Sequence, residues 1–274
     1  MTTSDLPELC YACPRDLGEA AEAIARPGAC IYAGGTDLLV ALTERRPWAR
    51  FVREIVDVKR LDAATGVQQI GERLRIGALV TAEELASNTL VRRDAPVLAE
   101  AAAATAAPTL RRRATIGGNL TTPHPAGDVA TALLALEATV EALDGTAVRD
   151  VPIAAFIAAQ ADTWPRQQLI VAVTVPTGRR GAFEKAGSRS SFSRSVAAVG
   201  VVIDERGATV ALGGMRERPF VSTAVAAAIA EGRSIGVPLA AECRPPADGF
   251  VSPAYRLRLA ELLIARAFAR AGRR

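Results

Sequence analysis

The amino-acid sequence predicts an α+β protein, and two observations carry that prediction. Amphipathic helical stretches and short apolar strands follow one another without the regular strand–helix–strand alternation of a parallel α/β sheet. No short-period repeat or low-complexity linker interrupts the 274 residues, half of which are hydrophobic and 4% aromatic. A chain of this length can bury one large core or two ordinary ones. The net charge of +4 fits solvated arginines on exposed helix faces better than a nucleic-acid surface.

The elements follow in order. Asp16 to Ala25 reads as a short amphipathic helix with Leu17, Ala21 and Ile24 on one face, stopped by Pro27-Gly28. A buried strand, Cys30 to Ala33, runs into Gly34-Gly35, and Thr36 is placed to cap a helix carrying Leu38, Leu39 and Leu42. Short strands are expected at Ile55 to Val58, Val67 to Ile70 and Leu74 to Ile76, the last two joined around Gly71-Glu72. Thr81 and Glu84 form a capping box. Asp94 and Pro96 are expected to open an alanine-rich helix that ends before Pro108. Asp128 is placed to cap a helix over Val129 to Leu136, and Asp144-Gly145 is a hairpin signal. Strands at Leu169 to Val175, Val196 to Ile203 and Ala208 to Leu212 precede helices at Ser222 to Ala230 and Tyr255 to Ala269. Pro176-Thr177-Gly178 is the expected boundary before a carboxy-terminal unit.

Composition also excludes. The amino terminus lacks a signal pattern and no run approaches ~18 apolar residues, so a cytoplasmic protein with no membrane partner is expected. Cys10, Cys13, Cys30 and Cys243 make no disulfide framework. Cys10 and Cys13 form a C-x-x-C, but no second pair and a single histidine accompany it, so no metal site is expected and small buried thiols are the simpler reading. No G-x-G-x-x-G, P-loop or G-x-S-x-G elbow occurs, and His124 between two prolines is a poor triad base.

Two glycine pairs remain, in Ala33-Gly34-Gly35-Thr36-Asp37-Leu38 and in Ala114-Thr115-Ile116-Gly117-Gly118-Asn119-Leu120. Paired glycines turn sharply and expose successive backbone amides, and such nests bind phosphate oxygens. A helix start behind the first pair adds favourable partial charge. Two nests from separate parts of the chain could hold the two phosphates of a pyrophosphate, although either pair can equally make a simple tight turn.

Taken in order, these segments resemble the flavin subunit of the molybdenum hydroxylases of the xanthine dehydrogenase and carbon monoxide dehydrogenase type. AGGTDL at 33–38 is followed by LRIGALVTAEELA at 74–86, ATIGGNL at 114–120, PAGD at 125–128 and VPIAAF at 151–156. LIVAVTVP at 169–176, AFEKAG at 182–187, ALGGM at 211–215 and Tyr255-Arg256 complete the pattern, so the likeness spans the chain. The resemblance implies a vanillyl-alcohol-oxidase-type (PCMH-type) FAD-binding domain over residues 1–176, with subdomains of about 1–53 and 54–176. A carboxy-terminal α+β domain of the carbon monoxide dehydrogenase flavoprotein type would cover 177–274.

The resemblance further implies FAD between the subdomains. Ile31, Tyr32, Ala33, Gly34, Gly35, Thr36, Asp37 and Leu38 would form the first binding loop, and Thr115, Ile116, Gly117, Gly118 and Asn119 the second. Asp128 matches the family aspartate that contacts the nucleotide, and a carboxylate suits sugar hydroxyls. Thr105 and Ile170 fall near packing positions, and Lys185 matches a lysine whose ammonium would stabilise the anionic reduced flavin. No residue of this chain would act as acid, base or nucleophile on an organic substrate. Electrons would come from [2Fe–2S] clusters of a small subunit, served by a molybdopterin-binding large subunit, and leave for NAD, a quinone or oxygen. A stand-alone FAD-dependent oxidase or reductase, or a non-enzymatic nucleotide-binding module, are the alternatives. The sequence departs from the family at Arg112 and Arg113, at Thr122-Pro123-His124, and in the serine-rich segment 188–195.

Overall fold

Three sheets divide the chain among them. The computed structural model describes residues 8–122, 124–159, 168–187, 195–246 and 251–272; most of the serine-rich departure, 188–194, and Pro123 lie outside them. The first sheet is parallel, in the order β1 (Cys10–Ala12), β3 (Glu54–Asp57), β2 (Ala29–Tyr32). Parallel neighbours need crossovers, and α1 (Leu17–Ile24) and α2 (Leu38–Thr43) supply them. Asp16 caps α1 by accepting from the Glu19 amide at 2.9 Å. The cap expected from Thr36 does not form. Asp37 takes the position before α2 in a helical conformation and no side chain caps it, whereas a capping side chain needs an extended backbone to reach back. Its central strand, β3, spans Glu54–Asp57, so this sheet extends past residue 53, the expected end of the first subdomain.

The second sheet is antiparallel, ordered β4 (Val67–Ile70), β5 (Arg73–Gly77), β8 (Ile170–Pro176), β6 (Thr139–Asp144), β7 (Ala147–Pro152). Both hairpins turn where the glycines stand, with Gly71 at φ +58° and Gly145 at +59°. The Thr81–Glu84 capping box opens α3 (Ala82–Ser87). A helix not expected from the sequence, α4 (Thr89–Asp94), starts at Asn88; after a break at Ala95 the expected alanine-rich helix follows as α5 (Pro96–Ala104), opening at Pro96 and ending before Pro108. Asp94 therefore ends a helix rather than starting one, and it binds Arg93 at 2.6 Å. Four further helices complete this half: α6 (Pro108–Arg111), α7 (Ile116–Thr121), α8 (Asp128–Ala135) and α9 (Ile153–Ala158). Every residue of α8 is buried, as a helix walled in on all sides must be.

The third sheet is antiparallel, ordered β12 (Phe220–Val221), β11 (Gly207–Gly213), β10 (Ser195–Asp204), β9 (Arg180–Gly187). Its central strand is apolar without alternation because both faces are covered. Ala198 and Val202 join the core shared with α5 and α8, and Gly200 lies so close to α8 that an added Cβ would stand 3.1 Å from that of Ala135. Ala197, Val199 and Val201 face the other way, onto Leu263, Ile264 and Ala267 of α12 (Pro253–Ala271). α10 (Thr223–Ala230), capped by Ser222, and α11 (Gly236–Glu242) close that side.

Candidate functional site

The parallel sheet and the five-stranded sheet meet at a cavity enclosing about 880 Å³ of empty space, open mouth included. One wall is the turn from β2 into α2, with Ile31 and Ala33 to Leu38. The facing wall is Ala114, Thr115 and α7, and Leu169 with Ile170 at the start of β8 forms the floor. The two glycine motifs, eighty residues apart in sequence, thus face one space.

They do different things there. Gly35 sits at φ +73°, where L residues are strained, and an added Cβ would strike the Tyr32 ring at 2.5 Å. Gly34 lies against backbone: its Cβ would stand 2.0 Å from the Arg113 carbonyl oxygen. Among the described residues the amides of Gly34, Gly35, Thr36 and Asp37 donate no hydrogen bond, which leaves a row of donors for an anion. The second motif corrects the expectation of a matching nest. Thr115 caps α7, and the amides of Ile116, Gly117, Gly118 and Asn119 all donate internally, to Val80 O, Ala78 O, Thr115 Oγ1 and Thr115 O. Gly117 is required because α7 lies on Ala78, 2.9 Å from where its Cβ would be. What this motif offers the cavity is the bare surface of Gly118 and the side chain of Asn119, whose Oδ1 is buried without a partner. Buried polar atoms without partners are uncommon.

Of the remaining first-loop residues, Tyr32 does not line the cavity and lies beneath Gly35. Ile116 is core at 1% exposure, while Ile170 lines the cavity. Thr105, Asp128 and Lys185 form a second cluster. Lys185 Nζ donates to Asp128 Oδ2 at 2.8 Å and to the Ala104 carbonyl at 2.7 Å, and Ser195 Oγ donates to Asp128 Oδ1 at 2.5 Å. Asp128 is therefore not the expected side-chain cap of α8; both its oxygens are turned to residues of the third sheet. Burial pushes its carboxyl above the usual range, against the lowering pull of Lys185 and Ser195. Thr105 Oγ1 donates to Ala101 O at 2.8 Å, ending α5. Arg111 braces the turn that follows, with Nε on Glu83 at 3.0 Å and Nη1 on the Ala106 carbonyl at 3.2 Å. His124 Nδ1 accepts from the Ala126 amide at 3.1 Å and shapes the entry to α8.

Sequence reasoning passed over Ser195, for which no local signal exists, and Arg113, visible only as one of three successive arginines. It also expected small buried thiols at Cys10 and Cys13, but Cys10 is exposed and Cys13 half-buried. Cys30, which lines the cavity, is buried, and burial raises its thiol to about 12, so it packs as a neutral group. Among the described residues no cluster of His, Cys, Asp and Glu could hold a metal ion, and no helix is long and apolar enough to cross a membrane.

Residues 7–178 match the family described as the FAD binding domain in molybdopterin dehydrogenase. The chain belongs to this family. Among relatives of this FAD-binding domain family, the carbon monoxide dehydrogenase medium chain of Hydrogenophaga pseudoflava is 30% identical over 212 residues, 74% of this chain and 72% of the relative. The xanthine dehydrogenase FAD-binding subunit of Escherichia coli O157:H7 is 36% identical over 131 residues, 47% of this chain and 44% of that one. In three dimensions, carbon monoxide dehydrogenase from H. pseudoflava superposes with a TM-score of 0.87 at 26% identity, covering 97% of each chain. The α+β, PCMH-type architecture expected from the ordered motifs is therefore the architecture of this family member, and its cofactor is FAD.

Proposed function

We propose that this chain is the FAD-carrying electron-transfer subunit of a molybdenum hydroxylase. It would take electrons from the [2Fe–2S] clusters of a small partner subunit, fed by a molybdopterin-binding large subunit, and pass them to an external acceptor such as NAD, a quinone or oxygen. The observation that carries this reading is the cavity between the glycine motifs, lined both by Gly34 to Asp37, whose amides donate no hydrogen bond among the described residues, and by Asn119, whose Oδ1 is buried without a partner. Amides of that kind suit the diphosphate of a dinucleotide, and a carboxamide suits its hydroxyls. Family membership and the subunit names of the relatives support the rest.

FAD, when bound, supplies both one- and two-electron chemistry. The protein's own part is to hold it. The amides of Gly34 to Asp37 would take the diphosphate, Gly118 would let it approach, and Ile31, Ala33, Leu38 and Ile170 would cover apolar surface. Asp128, Lys185 and Thr105 stand outside the cavity walls proper, and we place them at the far end of the cofactor. There the Lys185 ammonium would favour negative charge on the flavin only as far as Asp128 leaves it un-neutralised. The division into a cofactor-binding part over 1–176 and a carboxy-terminal part over 177–274 is supported by the extent of the family match. A cytoplasmic location belongs to the same reading.

A visible absorbance spectrum of the purified chain, with chromatography of whatever denaturation releases, tests the proposal. FAD near one per chain, and copurification with one larger and one smaller subunit from the source cells, are expected. No flavin after incubation with excess FAD would refute the cofactor role. Flavin in a chain that is reduced by a substrate without partners would refute the subunit role.

A further inference from the structure

We propose that Arg113 is a positioning residue that locks the turn carrying the free amides into its anion-binding shape, with Tyr32 as its partner. The proposal rests on the FAD reading and deepens it. Three contacts converge. The Arg113 main chain presses on Gly34, its carbonyl oxygen occupying the place a Cβ would need. Its side chain then doubles back over the same turn, with Nε donating to the Gly34 carbonyl at 3.2 Å and Nη2 to the Tyr32 hydroxyl at 3.3 Å. The Tyr32 ring, in turn, lies under Gly35 so closely that no side chain fits between them.

The turn is thus held from both sides by one residue and its partner. A guanidinium is suited to this because its planar fork donates in two fixed directions at once. By accepting from Arg113, the Gly34 carbonyl fixes the Gly34–Gly35 peptide plane, while the Gly35 and Asp37 carbonyls accept from the Leu39 and Ala41 amides, leaving the amides of Gly34 to Asp37 for a ligand. The brace continues outward: the Lys59 ammonium stands 4.3 Å from the centre of the Tyr32 ring and 3.0 Å from Asp57 Oδ2, and the Tyr11 hydroxyl donates to that same oxygen at 2.7 Å. Tyr32 is therefore contacted by Lys59 as well as by Arg113 and the Gly35 backbone. The charge of Lys59 is matched by Asp57, so it is the Arg113 guanidinium beside the turn that adds a field favouring phosphate. Arg112, between two contact-making arginines, is exposed and makes no such contact among the described residues, which makes it the internal control.

The test uses the full chain stripped of cofactor, titrated at low salt with FAD, ADP and riboflavin, for wild type and for Arg113→Gln, Arg113→Lys, Tyr32→Phe and Arg112→Gln. Expected for Arg113→Gln is at least about tenfold weaker FAD and ADP binding, with riboflavin affinity and Tm held. Arg113→Lys should recover part of the loss, because it keeps the charge without the fork. Tyr32→Phe should weaken FAD and ADP binding, and combined with Arg113→Gln should cost less than the two losses together. Arg112→Gln should bind as wild type does. FAD binding by Arg113→Gln within about twofold of wild type would overturn the proposal, as would a loss shared equally by riboflavin, which reports general loosening. A wild-type chain that binds neither FAD nor ADP would overturn the FAD reading itself, and this proposal with it.

Discussion

Lys185→Met is the most informative single change to the stability of this fold. It removes the ammonium from Asp128, a carboxylate whose side chain is 7% exposed, while Lys185 itself is 17% exposed. Removing one partner of a buried pair costs about 3–5 kcal/mol because the other charge is stranded. Ser195 still donates at 2.5 Å and Lys185 keeps some contact with water, so the lower end, about 3 kcal/mol, applies. For a chain of this size that is a fall of roughly 6–12 °C in Tm, at about 2–4 °C per kcal/mol. The pH dependence gives the cause away. Asp128 is already raised by burial, and loss of Lys185 removes the strongest opposing pull. A carboxyl whose folded pKa lies above its unfolded value loses folding stability as pH rises from the unfolded value to the folded one. The deficit of the variant should therefore be small near about pH 4, grow with rising pH, and level off once Asp128 ionises. Urea melts of the cofactor-free protein across that range measure it. A deficit under about 0.5 kcal/mol at neutral pH, or one of the same size at every pH, would refute the buried-pair account.

Other expectations are simpler. Gly118→Ala should fold with nearly wild-type Tm, since its Cβ meets only Thr115 Oγ1 at 3.0 Å, yet retain less FAD after gel filtration because the methyl group enters the cavity; Gly35→Ala should instead lower Tm, being strained at φ +73°. Asn119→Ala should weaken FAD binding by about tenfold without loss of stability, measured by fluorescence titration, because the buried carbonyl oxygen it removes has no partner in the protein. Glu137, held low by hydrogen bonds from Arg179 and then Arg206, contributes stability above its unfolded pKa of about 4.3 that is lost as pH falls through the depressed value. Glu137→Gln should therefore lower Tm at neutral pH and match wild type in strong acid, read by thermal melts at both.

What the sequence made legible was whatever chemistry is local. The Thr81–Glu84 box and the Gly71 and Gly145 hairpin turns each follow from residues within a few positions of one another. Failures came where a distant part of the chain decided. Asp128 looks like a cap in its own neighbourhood, but Lys185 and Ser195, 57 and 67 residues onward, take its oxygens instead. Gly117-Gly118 reads as a turn because glycine is a poor helix former, yet α7 forms there since only glycine lets it lie on Ala78. The candidate site shows the same division. Motif order located both walls of the cavity, but which wall carries free amides depends on where Val80 and Ala78 bring their carbonyls. Periodicity cannot reveal that.

The doubly covered β10 has a consequence for how the protein comes into being. Helices α5 and α8 belong to the cofactor-binding half, but the sheet that buries one side of them is made of residues synthesised later, from Arg180 to Val221. A nascent chain that has reached only residue 178 therefore presents Leu98, Leu133 and their neighbours with part of their covering not yet made. Such exposed apolar surface is what chaperones hold and what aggregates capture. The cofactor pocket, whose walls are complete by Ile170, could take up FAD before that covering arrives, and the ligand would then stabilise a half-built protein by mass action. Flavin supply during translation would on this view govern yield as well as activity.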